Sequence, residues 1–237
     1  MRLFKTYIRG YDDEIEGGIP HGHVVLLAGP PGTMKSSLAY SILYNNALHD
    51  GVPGVYVTME QDREGLEFQL TRMGMDPKKV GEKVRIQDLS RIRRGVDELR
   101  GSPMFGSSEK PWLDILKRHL EDVKATADFS LLALDSLPVL EIIAGLRDRR
   151  IGLFHFFGWL KALKVTSFVI SEVSPDPYTV RDEDFLADGI FALTMDRVGE
   201  LDVYRRIRCV KMRGVNHNPG IFTLEIADGT FRVTRVI

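Results

Sequence analysis

The chain has 237 residues, 43% hydrophobic and 27% charged: enough apolar material for a sizeable core, at the upper end for one α/β domain and short for two. A formal net charge of -1 gives no overall pull toward nucleic acid or an anionic membrane. One cysteine, Cys209, excludes an internal disulfide, and without a secretory apolar segment or a long apolar run the expectation is a cytoplasmic protein with no membrane span.

In chain order, Tyr11-Asp12-Asp13-Glu14-Ile15 predicts a short acidic turn or helix, and Gly17-Gly18-Ile19-Pro20-His21-Gly22 a glycine-rich approach to the first strand. Val24-Val25-Leu26-Leu27 reads as a buried strand. The loop Ala28-Gly29-Pro30-Pro31-Gly32-Thr33-Met34 follows, and Lys35-Ser36-Ser37 then opens a helical pattern (Leu38, Ile42, Leu43). A phosphate-binding P-loop needs this context, because amides in the loop and at the helix N-terminus point at anionic oxygens. Gly29 through Ser37 would then cradle a nucleotide, with Lys35 on the β/γ-phosphates and the Ser36 hydroxyl on Mg²⁺. The match to G-x-x-x-x-G-K-[ST] departs once, because Met34 stands at the last glycine. A positive φ there strains a methionine; a helical φ costs little. A plain Gly-Pro turn between an ordinary strand and helix is the alternative.

The first helix should run to about Ala47, stopped by Asp50-Gly51-Val52-Pro53-Gly54. Val55 to Met59 is a second strand, ending at Glu60-Gln61-Asp62. Glu64 to about Met73 is amphipathic, and Val84-Arg85-Ile86 is a short third strand. A basic cluster, Arg91-Ile92-Arg93-Arg94, and a loop from Gly101 to Ser108 come next. Trp112, Ile115, Leu116, Leu120 and Val123 keep helical spacing and lead into the buried strand Phe129 to Leu134, closed by Asp135-Ser136. Residues 146–163 set Arg147, Arg149 and Arg150 against Leu153, Phe156, Phe157, Leu160 and Leu163. Thr166 to Ser171, ending at Glu172, and Ile190 to Leu193 are further strands. Strands alternating with helices, each strand ending in a polar residue, predict an α/β fold: a mostly parallel central sheet flanked by helices, with its ligand at the carboxyl ends of the strands. The tail changes character. Val203 to Met212, Ile221 to Ala227 and Thr230 to Val236 are β-type, and Asp228-Gly229 is a hairpin turn, so an antiparallel meander closes what reads as a single domain, 1–237.

Phosphoanhydride hydrolysis needs Mg²⁺, a group to orient or deprotonate water, and cations on the γ-phosphate. Asp135 closes an apolar strand in the manner of a Walker B carboxylate; the alternative is a helix-capping aspartate. Glu60 ends the strand that follows the P-loop helix and is the candidate general base. Glu172, or Ser171 beside it, is placed to sense the γ-phosphate or simply to be solvated. Lys211 and Arg213, two apart on a predicted strand, leave one face and could reach a phosphate, though not obviously this chain's own; an ordinary basic strand face with Arg205, Arg206 and Arg208 is equally open. Cys209 reads as a small core residue.

Several segments together resemble KaiC-type, RecA-fold ATPases. They are Arg9-Gly10-Tyr11-Asp12 with Gly17 to Gly22 before the P-loop, Val57-Thr58-Met59-Glu60 after it, Leu186-Ala187-Asp188-Gly189-Ile190, and Lys211-Met212-Arg213-Gly214 with His217. The resemblance spans nearly the whole chain and implies a RecA-like P-loop NTPase fold that binds ATP with Mg²⁺. Carried over residue by residue, it makes Glu60 the catalytic glutamate and Asp135 the Walker B aspartate. It makes Lys211 and Arg213 γ-phosphate contacts supplied by a neighbouring subunit, with Met212 and His217 approaching the nucleotide across the same interface. It implies a homo-oligomer, typically a hexameric ring, serving an unidentified regulatory protein partner. Two departures stand out: Met34, and Gln61 where the family often has a second glutamate. Three functions compete on this basis. They are a slow Mg-ATPase ring with a regulatory output, an ATP-binding module without turnover, and a DNA-dependent recombinase. Against the last, residues 172–188 hold six acidic residues and one basic, the wrong sign for a phosphate backbone, although Arg91–Arg94 and Arg147–Arg150 leave nucleic acid a weaker role.

Overall fold

A computed structural model describes residues 2–90, 111–146, 148–172 and 181–236. The basic cluster Arg91–Arg94, the loop Gly101–Ser108 and Arg147 lie outside the described residues. In chain order the strands and α-helices are β1 (Leu3–Phe4), β2 (Ile19–Pro20), β3 (Val24–Gly29), α1 (Lys35–Asp50), β4 (Gly54–Thr58), α2 (Arg63–Arg72), β5 (Val84–Asp88) and α3 (Pro111–Ala127). Then come β6 (Leu131–Asp135), α4 (Leu137–Ala144), α5 (Arg149–Ala162), β7 (Thr166–Glu172), α6 (Asp182–Leu186), β8 (Gly189–Val198), β9 (Asp202–Met212), β10 (Phe222–Ala227) and β11 (Thr230–Arg235).

β1 and β2 pair as a small separate ribbon, while the other strands form one nine-stranded sheet in the order β11-β10-β9-β8-β3-β7-β6-β4-β5. From β5 to β8 every pairing is parallel; β8-β9, β9-β10 and β10-β11 are antiparallel, with Asp228 and Gly229 both at positive φ in the last turn. This is the expected α/β architecture with its antiparallel tail.

Both faces of the parallel part are covered, and the pleat sorts each apolar run between them. Val25, Leu27, Tyr56, Phe168 and Ile170 face α1 and α2 (Leu38, Ile42, Leu66, Leu70). Val24, Leu26, Val57, Leu134 and Val169 face α3, α4 and α5 (Leu116, Leu140, Phe156, Leu160). That two-sided burial is why these strands read as unbroken hydrophobic stretches. Side-chain caps mark two helix starts: Asp62 accepts the Gly65 amide at 2.8 Å and Asp148 the Ile151 amide at 3.0 Å. In α3 the buried face is Leu113, Leu116 and Leu120, whereas Ile115, part of the predicted stripe, is 46% exposed.

α4 was not anticipated. Its sequence, Leu-Pro-Val-Leu-Glu-Ile-Ile-Ala, is apolar almost all round and carries no readable period, although its proline sits in the first turn, where proline is tolerated. β8 also runs five residues past the predicted Leu193, because the polar stretch to Val198 is paired only by β9. Among the described residues no helix is long and apolar enough to cross a membrane.

Candidate nucleotide site

β3 delivers the chain to the loop at Gly29, at the centre of the sheet. A side chain there is impossible without moving backbone, because a Cβ would lie 2.3 Å from the Leu193 carbonyl oxygen of β8. Beyond it the loop turns on two left-handed residues, Gly32 (φ 84) and Met34 (φ 69). The residue standing in for the last P-loop glycine is therefore in the conformation that glycine would adopt freely. Thr33 lies between them, fully buried, and its hydroxyl donates to the Pro30 carbonyl at 2.8 Å. The Lys35 ammonium donates to the same carbonyl at 2.9 Å. α1 starts at Lys35 without a side-chain cap, so its first-turn amides lie at the loop with no intrahelical acceptor. The Ser37 hydroxyl does not join them; it donates to Met73 Sδ at 3.4 Å, on the α2 side.

Three carboxylates surround Lys35. Burial pulls its ammonium below the usual lysine value, and Glu172, Asp135 and Glu60 act against that. Asp135, at the end of β6, accepts from the Tyr56 hydroxyl at 2.6 Å, with Ser36 beside the pair: its carbonyl lies 3.5 Å from the same hydroxyl. Burial nevertheless raises the Asp135 carboxyl above the ordinary range, with Tyr56, Ser36 and Lys35 opposing. The helix-cap alternative does not hold: Ser136, not Asp135, occupies the N-cap of α4, and it caps with no side-chain bond. Glu60 leaves the next strand end, where its Oε1 accepts from the Ser136 hydroxyl at 2.5 Å. Glu172 pairs in register with Gly29, whereas Ser171 turns to the opposite face and donates to Glu183 at 3.4 Å. Gln61 points along the protein surface to Gln69, at 3.4 Å.

A hydroxyl and a carboxylate side by side near a buried ammonium suit a hard divalent cation, which takes one or two protein oxygens and completes its shell with phosphate and water. Ser36 and Asp135 therefore fit Mg²⁺.

Lys211 and Arg213 are not at this end of the sheet. Met212 pairs with Gly189, which lies level with Val25, and the loop leaves β3 at Gly29, about 13 Å further along. Both cations turn to α6 and the residues after it. Lys211 Nζ donates to the Asp184 and Ala187 carbonyls at 2.9 and 2.7 Å, and Arg213 Nη1 to Asp188 Oδ1 at 2.8 Å. Met212 is buried, with its thioether packed over Gly189. His217 lies beside them in sequence, and its Nδ1 is buried with no hydrogen-bond partner among the described residues.

Three residues of the P-loop end escape sequence reasoning. Arg205 donates from Nε to the Gly32 carbonyl at 3.0 Å, and Met195, its register partner across β8 and β9, covers the same glycine. Nothing local marks either residue, since the β8–β9 hairpin reaches the loop only because β8 pairs with β3. Tyr56 was detectable: a phenol in a fully buried strand requires a hydroxyl partner. The basic patch at the start of α5 is already engaged, Arg149 with Glu141 and Glu183 at 2.9 Å each and Arg150 with Asp182 at 3.7 Å. Arg149 is thereby committed to carboxylates of its own fold, whereas the Arg150 side chain stays 80% exposed.

Comparison with known proteins gives the same picture. A family model described as the KaiC ATPase matches residues 4–236. A UPF0273 protein of Aeropyrum pernix is 31% identical over 231 residues, which cover 94% of this chain and 90% of that protein. A UPF0273 protein of Thermotoga maritima is 29% identical, covering 96% of this chain and 94% of the relative. Among solved structures, a KaiC-like protein of Pyrococcus horikoshii OT3 superposes with a TM-score of 0.81 at 28% identity, over 98% of this chain and 99% of that one.

Proposed function

The chain belongs to the KaiC family of ATPases, and we propose that it binds ATP with Mg²⁺ at Gly29–Ser37 and hydrolyses it slowly within a homo-oligomeric ring. Ser36 and Asp135 would hold the cation, which when bound supplies positive charge to the β- and γ-phosphate oxygens. Lys35 and the first amides of α1 bind and orient the same oxygens. Glu60 accepts the proton of the attacking water as that oxygen bonds to the γ-phosphorus and the bond to the ADP oxygen breaks. Ser136 holds Glu60 in place through its 2.5 Å hydrogen bond.

One observation carries this reading. The ammonium of Lys35 and the carboxylates of Glu60 and Asp135 converge at the P-loop, while Lys211 and Arg213 lie toward the other end of the strands, beyond reach of that loop. Cations so placed serve a neighbour's nucleotide better than their own, with Met212 and His217 at the same contact. A hexamer in the cytoplasm, acting on a regulatory protein partner through its nucleotide state, completes the proposal. A second reading, ATP held without turnover, has one feature in its favour: Gln61 faces Gln69 and not the loop.

The discriminating experiment measures ATP turnover, bound nucleotide and mass by light scattering, with and without Mg-ATP. Glu60→Gln should lower turnover by about 10²-fold or more while nucleotide stays bound. Turnover indifferent to Glu60→Gln would favour the holding module. Lys35→Ala and Arg213→Ala subunits, each weak alone, should regain activity when co-assembled, because a Lys35→Ala protomer can still offer Arg213 to its neighbour. Absence of that rescue would overturn the shared site.

A further inference from the structure

The end of the sheet that carries Lys211 and Arg213 is built around one carboxylate. Asp188 lies between α6 and β8 with its side chain only 12% exposed. Its Oδ1 accepts from Lys161 Nζ and from Arg213 Nη1, both at 2.8 Å, and its Oδ2 accepts the Val24 amide at 3.2 Å. The main chain doubles these links: the Asp188 amide donates to the Val24 carbonyl at 2.8 Å, and the Arg213 amide to the Asp188 carbonyl at 2.8 Å. Burial alone would push this carboxyl up; the Lys161 ammonium, the Val24 amide and the Arg213 guanidinium outweigh it and hold it below the ordinary carboxylate range.

Arg213 is gripped from one side. Nη1 goes to Asp188 and Nη2 to the Phe185 carbonyl at 3.3 Å, while 51% of the side chain remains exposed. A guanidinium carries five N–H groups in a rigid plane, so fixing two of them also fixes the direction of the remainder. An arginine needed only for stability would gain most from a bidentate pair with the carboxylate. Here a single oxygen of Asp188 is shared between two cations, with Lys211 close by, so three cations face Asp188 and Asp184 and a further anion would offset the surplus. The Lys211 ammonium sits below the usual lysine value through burial first, then through Arg213 and Lys161, with Asp188 and Asp184 opposing.

We propose that Asp188 is a positioning residue, holding the Arg213 guanidinium so that its outward N–H groups meet the phosphate chain bound by the adjoining protomer. The inference rests on the shared-site reading above. Through Val24, Asp188 also ties that arginine to β3, the strand that carries the chain's own P-loop.

The test uses the co-assembled Lys35→Ala and Arg213→Ala subunits, in which the first donates the cations and the second holds the working nucleotide. Asp188→Asn keeps the side chain's shape and an acceptor for Val24. Placed in the donor, it should cut the rescued kcat by about tenfold or more with little change in KM for ATP. Placed in the acceptor, whose own arginine is already gone, it should leave the rescue intact. Should Asp188→Asn fold poorly, Asp188→Asn combined with Lys161→Met removes the stranded ammonium, and the same one-sided loss is expected. Equal loss from either side means a merely structural role, and no loss from the donor side means that Arg213 positions itself; each overturns the proposal while leaving the shared site standing. If the starting pair shows no rescue, the shared-site reading has failed and the assignment of Asp188 falls with it.

Discussion

Met34 holds a left-handed backbone that costs a residue with a Cβ about 1 kcal/mol or more, offset by half-buried packing of its side chain against the core on the α1 face. Glycine at this position gains the first term and loses the second; valine keeps the strain, adds β-branching and fills less space. Met34→Gly should therefore stay within about 1 kcal/mol of the parent, while Met34→Val should lose about 2 kcal/mol. Urea unfolding of the three proteins checks this, and equal stability of the glycine and valine variants would refute the backbone argument. Cys209 poses a different residue-scale question. It is fully buried on β9, and burial pushes its thiol up to about 12. At pH 8 only about one thiol in ten thousand is then ionised in the folded chain, so a thiol-reactive disulfide reagent should label Cys209 on unfolding and not before. Stoichiometric labelling of the native protein within minutes would contradict the burial.

At the scale of elements, the helices differ in how much their own sequences support them. α5 buries Leu153, Phe156, Phe157 and Leu160 and begins with a capping aspartate, yet it carries Gly158 on its exposed face with open space where a Cβ would project. Gly158→Ala should stabilise the protein by about 0.5–1 kcal/mol, a rise of about 1–4 °C in Tm, since it meets no neighbour and lowers the entropy of the unfolded chain. A lower Tm would mean that the face is covered by something. α6 is the opposite case: five residues long, it is held by tertiary contacts. Its Glu183 is buried against Arg149 and Ser171, and its last carbonyls are taken by Lys211 and Arg213. The short α4 likewise depends on its surroundings, packing Leu137 and Leu140 under the end of β6 and thereby placing Ser136 next to Glu60.

For the whole molecule, the sheet is the organising fact. Its parallel half gathers Gly29, Glu60, Asp135 and Glu172 at the carboxyl ends of four adjacent strands, while the antiparallel return of β9 brings Lys211 and Arg213 back to the opposite end of the strands. On the proposed reading a protomer carries two half-sites facing different ways, which would suit a closed ring and make activity a property of the assembly. Specific ATPase activity should fall by about tenfold or more on dilution below the assembly concentration, in step with loss of the oligomer by light scattering. Turnover per chain that stays constant across dilution to monomer would be incompatible with completion of the site by a neighbour.

Much of this was legible along the chain. Hydrophobic runs buried on both faces of a parallel sheet need no alternation, and local backbone chemistry dictates a P-loop, so Val24 to Leu38 announced the fold class and the candidate site; the places of Asp135 and Glu60 at strand ends were also readable, their roles remaining proposals. Spacing alone also put Lys211 and Arg213 on one face. What the sequence could not settle were relations between residues far apart in the chain. Met34 has a left-handed φ because the loop must turn into α1, and Tyr56 meets Asp135 because β4 pairs with β6. Arg205 lies on the P-loop because β8 pairs with β3, and the paired cations sit far from their own loop because β9 runs antiparallel. Strand order and register are set by the packing of the whole sheet, a sum over many weak contacts that no local window contains, and they decide which functional groups can touch.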